Sequence, residues 1–355
     1  MHGRIPYKDT LCTGRAYMTY FEKNVSTSTL STLRAGGPAR LYVPVTHTSE
    51  LPNILRTLQN QNISFLVLGG GSNILFSDKG YDGCIIHMKT MDVRILSDDG
   101  DHVQVIADAG VLWDTFVEEM VSKDVWGLEN LSGIPGTVGA APVQNVGAYG
   151  VEVKDVIAYV DTYDVRTQTT RRFSNTECAF GYRDSMFKQN CGRYVITAVA
   201  FDLTKNPRLK LGYKDVAEYF KSNSSPTIHE IRTAILSIRA RKFPDLTRVG
   251  TAGSFFKNPV LSSEEARPLT LQYPDIPLYP TPDGKVKISL AWLLDKALNL
   301  KGYRKGNVAL FEHQPLVLVA HEGASAVEID AFAQHVEDIV RDATGISIER
   351  EVVTL

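Results

Sequence analysis

Two glycine-rich segments give the first sign of chemistry in this 355-residue chain, Gly69-Gly70-Gly71-Ser72-Asn73 and Ile134-Pro135-Gly136-Thr137-Val138-Gly139. Consecutive glycines let the backbone adopt positive φ and remove the Cβ atoms that would hold a ligand away. Exposed N–H groups can then point at a phosphate, with the Ser72 hydroxyl and the Asn73 amide as further donors. Alone, the first segment reads equally well as a plain turn between strands. The second is harder to explain as structure. Gly133, Gly136, Gly139, Gly147 and Gly150, with Pro135 and Pro142, give up side chains that could have packed, and residues 131–150 carry no charge. Backbone wrapping a large phosphate-bearing ligand accounts for that better. Neither segment has the GxGxxG spacing with an acid about 20 residues on, nor the lysine-containing phosphate loop of nucleotide hydrolases, so a standard Rossmann domain and a P-loop are set aside.

The elements around these segments follow from periodicity. Residues 41–45 read as a strand, and 49–61 as a helix with Ser49 as N-cap and Leu51, Ile54, Leu55 and Leu58 on one face. Residues 65–68 form a buried strand running into the three glycines, which completes a β-α-β unit. Further strands are expected at 84–88, 93–96, 102–107, 159–165 and 194–203, and a helix at 113–125. Beyond residue 203 longer helices take over, at 228–242, 289–298 and 326–344, with strands at 316–319 and 346–353. That change of texture places a boundary near Asn206.

Composition excludes several classes. With 43% hydrophobic and 22% charged residues the chain is an ordinary globular mix, and its length suits two or three domains. A formal charge of −2 with dispersed lysines and arginines offers no field for nucleic acid. Cys12, Cys84, Cys178 and Cys191 form no CxxC pair, which argues against a zinc knuckle or redox dithiol; no metal is expected, and the cysteines read as reduced thiols of a cytosol. Residues 1–20 lack the apolar run of a signal peptide, and nowhere do about 18 uncharged apolar residues follow one another. A cytoplasmic protein without a membrane partner is expected.

Five strings occur in order: Gly71-Ser72-Asn73-Ile74-Leu75, the segment 134–150, Phe180-Gly181-Tyr182-Arg183-Asp184-Ser185, Gly253-Ser254-Phe255-Phe256-Lys257-Asn258-Pro259, and Ile348-Glu349-Arg350-Glu351-Val352. Together they closely resemble UDP-N-acetylenolpyruvoylglucosamine reductase, the bacterial flavoenzyme of peptidoglycan precursor synthesis, across residues 24–353. Leu211-Gly212-Tyr213-Lys214-Asp215 and Tyr279-Pro280 resemble the family's longer type, with a substrate-covering loop. The resemblance implies an α+β protein. An N-terminal extension (1–22) would precede an FAD-binding domain similar to the vanillyl-alcohol oxidase type (23–205), in subdomains of about 23–92 and 93–205, and a substrate-binding α+β domain (206–355). It implies FAD held without a covalent bond, NADPH as co-substrate, and a UDP-sugar enolpyruvyl ether reduced to UDP-N-acetylmuramate in the same cleft, by a monomer. A flavin oxidase acting on alcohols is the alternative, disfavoured because no histidine or cysteine is clearly placed for covalent flavin attachment.

Residue roles carry over by position. Ser254 matches the family's proton donor, although a serine after glycine is by itself usually a turn or cap residue, and its hydroxyl needs a charge such as Lys242 nearby to act as an acid. Arg183 would bind the enolpyruvyl carboxylate and steady the enolate; the plainer reading is an ion pair with Asp184 or another acid. Glu351 would orient the enolate or act as acid, a role suited by a pKa raised through burial, with Glu349 as second choice; two glutamates on one strand face otherwise read as solvated. The resemblance places FAD on Gly69, Gly70, Gly71, Ser72, Asn73, Ile134, Pro135, Gly136, Thr137, Gly139, Gln144, Asn145, Gly147 and Ile196. It places the UDP-sugar on Tyr149, Tyr213, Arg239, Lys242, Asn258, Tyr279, Lys287 and Gln314, with the cationic groups neutralising the diphosphate. Each lysine can equally be a surface charge.

Overall fold

The computed structural model describes residues 4–6, 20–281 and 283–355; Cys12 and most of the expected extension lie outside them. Residues up to 25, 39–71 and 82–239 form one compact unit, and residues 26–38, 72–81 and 240–355 form another. The chain therefore visits the second unit twice before settling in it. Apolar burial explains the visits: Leu33, Ala35 and Leu75 join Phe255, Leu318 and Val336 in one core.

The first unit holds two five-stranded sheets. In one, the spatial order is 4–6, Tyr20–Ser26, Pro38–Val45, Tyr81–Met88 and Phe65–Leu68. The helix Leu51–Asn60 makes the β-α-β crossover, and the strand Phe65–Leu68 runs parallel to Tyr81–Met88, pairing Leu68 with His87. The other sheet is antiparallel, in the order Thr169–Ser174, Ile157–Asp164, Tyr194–Thr204, His102–Asp108 and Val93–Asp98. The helix Trp113–Ser122 packs on it through Trp113 and Phe116, whose rings lie 6.1 Å and 5.0 Å from that of Phe201.

In the second unit, the helix Ala326–Thr344 begins at Ser325, whose hydroxyl accepts from the Glu328 N–H, and stops at Gly345 with φ +71°. Its apolar stripe, Ile329, Phe332, Ala333, Val336 and Val340, is buried. Two three-stranded antiparallel sheets accompany it, Val260–Leu261, Val286–Ile288, Leu278–Pro280 and Arg304–Lys305, Val308–Leu310, Leu318–Ala320.

Several boundaries differ from expectation. Ser49 does not cap a helix: Thr48–Glu50 forms a 3₁₀ turn, and Glu50 precedes the helix without a side-chain cap. The helix expected to reach residue 125 ends at Ser122, since Asp124 turns to φ +54°. Residues 289–298 are one α-turn, Leu290–Trp292, followed by a π-helical turn, Leu293–Ala297. The strand expected at 316–319 is Leu318–Ala320. Residues 346–352 are not a regular strand; they make single backbone links to neighbours, and only Val353–Thr354 pairs, parallel to Ile74–Leu75. No helix of the described residues is long and apolar enough to cross a membrane.

Candidate active site

The two glycine segments meet in the first unit. A Cβ on Gly70 would lie 2.8 Å from the Gly136 Cα, and one on Gly69 only 2.4 Å from the Thr137 hydroxyl oxygen. At Gly70 the obstacle is backbone, so glycine there is a requirement of packing, whereas at Gly69 it is the Thr137 side chain. The second segment is fixed from behind: Trp113 N–H donates to Gly136 O (3.1 Å), Val138 N–H to Val111 O and Gly139 N–H to Ala109 O. Ile134 packs against the first core. The Thr137 hydroxyl is buried and finds no hydrogen-bond partner among the described residues. A buried orphan hydroxyl is a rare feature that calls for an explanation. Set over bare glycine backbone, it suits a phosphate oxygen, and the residues present therefore fit FAD.

The other flavin candidates fall into distinct roles. Asn145 is fully buried with φ +45°, and its side chain is already committed: Nδ2 donates to Glu152 Oε2 and Gly181 O, both at 2.9 Å, and Oδ1 accepts from Lys154 N–H. It holds the hairpin Gly147–Ala148/Val151–Glu152 to the 181–184 turn. Ile196 is a core residue of the strand Tyr194–Thr204. Gln144 is half-buried. Ser72 and Asn73 lie just past the glycines in the second unit, where Asn73 Nδ2 donates to Glu351 O (3.1 Å).

Four of the chemistry candidates share the first unit. Arg183 sits at a tight turn, Gly181 and Asp184 bonding each other's backbones, with φ +54°, a conformation that costs a non-glycine residue and persists where surroundings enforce it. Its Nη2 donates to Gly147 O (3.0 Å). The Asp184 carboxylate accepts from Gln189 Nε2 and Ser185 N–H. Two residues past Gly147, Tyr149 packs its buried ring edge-on against Tyr213, centroids 5.2 Å apart, and hydrogen-bonds Arg239. Burial pushes the Tyr149 phenol up to about 12. It also lowers the Arg239 guanidinium from its usual range, since a charge is being held away from water. Tyr149, Tyr213 and Arg239, from three separate stretches of sequence, thus form one cluster.

The second unit builds around residues 254–257. Phe255 N–H donates to Leu316 O, and Glu351 N–H to Phe255 O, both at 2.8 Å; Ser254 bridges to Val317 and Phe256 to Arg350. Phe255 and Phe256 are buried side by side and anchor the turn that starts at Gly253, φ +74°. Ser254 and Glu351 are each half-buried and lie one register position apart across this ladder. Glu349 points elsewhere, exposed and paired with Lys257 Nζ at 2.8 Å. Gln314 lies in the turn before Leu316: its O accepts from Val317 N–H and its Oε1 from Leu316 N–H. Asn258 Oδ1 accepts from Leu290 N–H. Tyr279 and Lys287 are register partners in adjacent strands, with Tyr279 exposed. Lys242 is half-buried at the end of the helix Ile228–Lys242.

Sequence reasoning missed three polar residues, of which Asn130 and Arg232 are buried and Asp114 half-buried. Asn130 Nδ2 donates to Tyr149 O and Lys210 O, both at 2.9 Å. Asp114 and Arg232 form a bidentate pair at 2.7 Å and 3.0 Å. Asp114 and Arg232 are 118 positions apart in the chain, so no local pattern announces the pair.

A family described as an FAD binding domain matches residues 39–173, and the C-terminal domain of UDP-N-acetylenolpyruvoylglucosamine reductase matches residues 245–355. The chain is 40% identical over 333 residues to a UDP-N-acetylenolpyruvoylglucosamine reductase of Pseudomonas putida, covering 93% of this chain and 98% of that one. A reductase of the same name from Neisseria meningitidis is 44% identical over 303 residues, covering 84% and 87%. Among solved structures, UDP-N-acetylenolpyruvylglucosamine reductase from Thermus caldophilus superposes with a TM-score of 0.67 at 23% identity, over 95% of this chain and 99% of that one, a likeness of fold.

Proposed function

The chain belongs to the UDP-N-acetylenolpyruvoylglucosamine reductases, FAD-binding oxidoreductases of peptidoglycan synthesis, and from that premise we propose that it reduces a UDP-N-acetylglucosamine enolpyruvyl ether to UDP-N-acetylmuramate with NADPH. Held on Gly69, Gly70, Gly71, Gly136 and Thr137, FAD would supply the hydride chemistry that links oxidation of NADPH to reduction of the vinyl ether. NADPH and the sugar use one cleft in turn, in a cytoplasmic monomer. Domain 23–205 holds the cofactor, domain 206–355 the sugar, and the extension 1–22 has no assigned part.

The chain's own residues divide the remaining work. Hydride at the terminal carbon leaves negative charge on the neighbouring carbon and its carboxylate. Arg183, permanently charged and forked, binds that carboxylate and spreads the charge. Ser254 delivers a proton to the carbon, and Glu351 orients the enolate beside it. Tyr149, Tyr213, Arg239, Lys242, Asn258, Tyr279, Lys287 and Gln314 hold the nucleotide sugar, and Thr137 with Gly69, Gly70, Gly71 and Gly136 cradles the flavin phosphates.

The observation that most supports this division is the hydrogen bond from Glu351 N–H to Phe255 O. It sets two motifs from opposite ends of the C-terminal half, residues 254–257 and 349–351, on one ladder. Ser254→Ala tests it: flavin reduction by NADPH is expected to survive while reoxidation by the enolpyruvyl sugar slows by orders of magnitude. Reoxidation at the wild-type rate would remove Ser254 from proton delivery.

A further inference from the structure

Gly133, the residue just before the second flavin segment, is gripped on both sides of its peptide. Its N–H donates to Asp114 Oδ1 at 2.5 Å, and its carbonyl accepts from Arg239 Nε at 3.0 Å. Its φ is +71°, and a Cβ would lie 2.9 Å from Leu236 Cδ2 and 3.1 Å from Arg239 Cδ, so backbone lies flat on the helix Ile228–Lys242. Arg232 and Arg239 are seven residues apart, two helical turns, and share the face on which this backbone rests. Arg232 closes the frame with its bidentate bond to Asp114.

The pair is built to hold a geometry. The Arg232 side chain is only 10% exposed. Burial alone would raise the Asp114 carboxyl, but the Arg232 guanidinium and the Gly133 N–H outweigh it and hold the group below its usual range, so it stays an ionised acceptor. Its neighbour Trp113 holds the same segment at two more points, donating from its N–H to Gly136 O and from its indole Nε1 to Leu131 O (2.9 Å). Residues 131, 133 and 136 are therefore tied to the first turn of one helix, and that turn is tied by Arg232 to the helix that bears Arg239.

We propose that Asp114 and Arg232 are positioning residues: through Gly133 they set the flavin-binding conformation of residues 134–137 and aim Arg239 and its partner Tyr149 at the substrate diphosphate. Neither touches cofactor or substrate. The second half of this statement rests on the substrate role assigned to Arg239 above; the first half does not.

The test uses the full-length protein carrying Asp114→Asn, which keeps size and loses charge, or Arg232→Lys, which keeps charge and loses the fork. Three quantities are read for each: melting temperature, the FAD dissociation constant of the stripped protein by flavin fluorescence, and KM for the enolpyruvyl UDP-sugar. A displacement of about 1 Å can cost on the order of 100-fold, so the FAD dissociation constant and KM are each expected to rise about 10- to 100-fold. Arg239→Met is expected to raise KM alone. A lower melting temperature with both constants unchanged in the folded protein would show the pair to be merely structural and overturn the proposal. Should Asp114→Asn fail to fold, Arg232→Lys decides by the same readings. If Arg239→Met leaves KM unchanged, the substrate role of Arg239 fails, while weakened FAD binding in the other two variants still supports the clamp.

Discussion

Gly70 and Gly136 touch backbone to backbone, leaving 2.8 Å between the Gly136 Cα and the place a Cβ on Gly70 would occupy. Two loops separated by 66 positions are thereby packed against each other, with the Thr137 hydroxyl beside them buried and without a hydrogen-bond partner among the described residues. This contact brings together the two glycine runs that we propose cradle the flavin phosphates.

Gly70→Ala is expected to force the two segments apart. Overpacking against backbone costs about 1–3 kcal/mol, and the purified variant should lose most of its FAD. Gly212→Ala is the matched control, because nothing lies within 4 Å of a Cβ there. Thermal melts and flavin content of the two variants check the contrast.

Asn145→Ala should destabilise the fold more than it impairs flavin chemistry. The buried amide bonds Glu152, Gly181 and Lys154, and leaving such partners unsatisfied costs about 3 kcal/mol in all. Urea melts are expected to show that loss. Unchanged stability would mean that Asn145 is free to bind the ligand with its side chain.

His87 should make stability depend on pH. Its ring is buried, Nδ1 lies 3.0 Å from the Tyr42 hydroxyl, and the backbone of Gly69 bonds it. Burial lowers the imidazole from 6.5 to about 4. The unfolded chain thus binds the proton more readily than the folded one. The stabilisation is complete above pH 6.5 and is lost as pH falls to about 4, a change of about 3 kcal/mol. His87→Gln should flatten the stability profile between those limits, read by denaturant melts across pH.

What the sequence revealed divides along physical lines. The helices Ile228–Lys242 and Ala326–Thr344 were legible to the residue, the second through its stripe of Ile329, Phe332, Val336 and Val340 and its terminal Gly345. Sheet strands such as Tyr194–Thr204 were legible because β-branched and aromatic residues run together. Residues 346–352 were misread as a strand, since alternation of Ile346 and Ile348 reports burial and says nothing of whether a partner ladder exists. The Leu33 and Leu75 excursions, the Gly70 contact with Gly136 and the Asp114–Arg232 pair are long-range, and no local pattern encodes them. The family was legible because five short motifs keep their order, whereas the cluster of Tyr149, Tyr213 and Arg239 needed the fold to bring it together.

An anaerobic absorption titration tests the central claim most directly. The purified protein should show an oxidised flavin spectrum, lose its visible band on addition of NADPH, and recover it on addition of one equivalent of the UDP-N-acetylglucosamine enolpyruvyl ether, with UDP-N-acetylmuramate as product. A colourless protein, or a bleached flavin that the sugar leaves bleached, would contradict it.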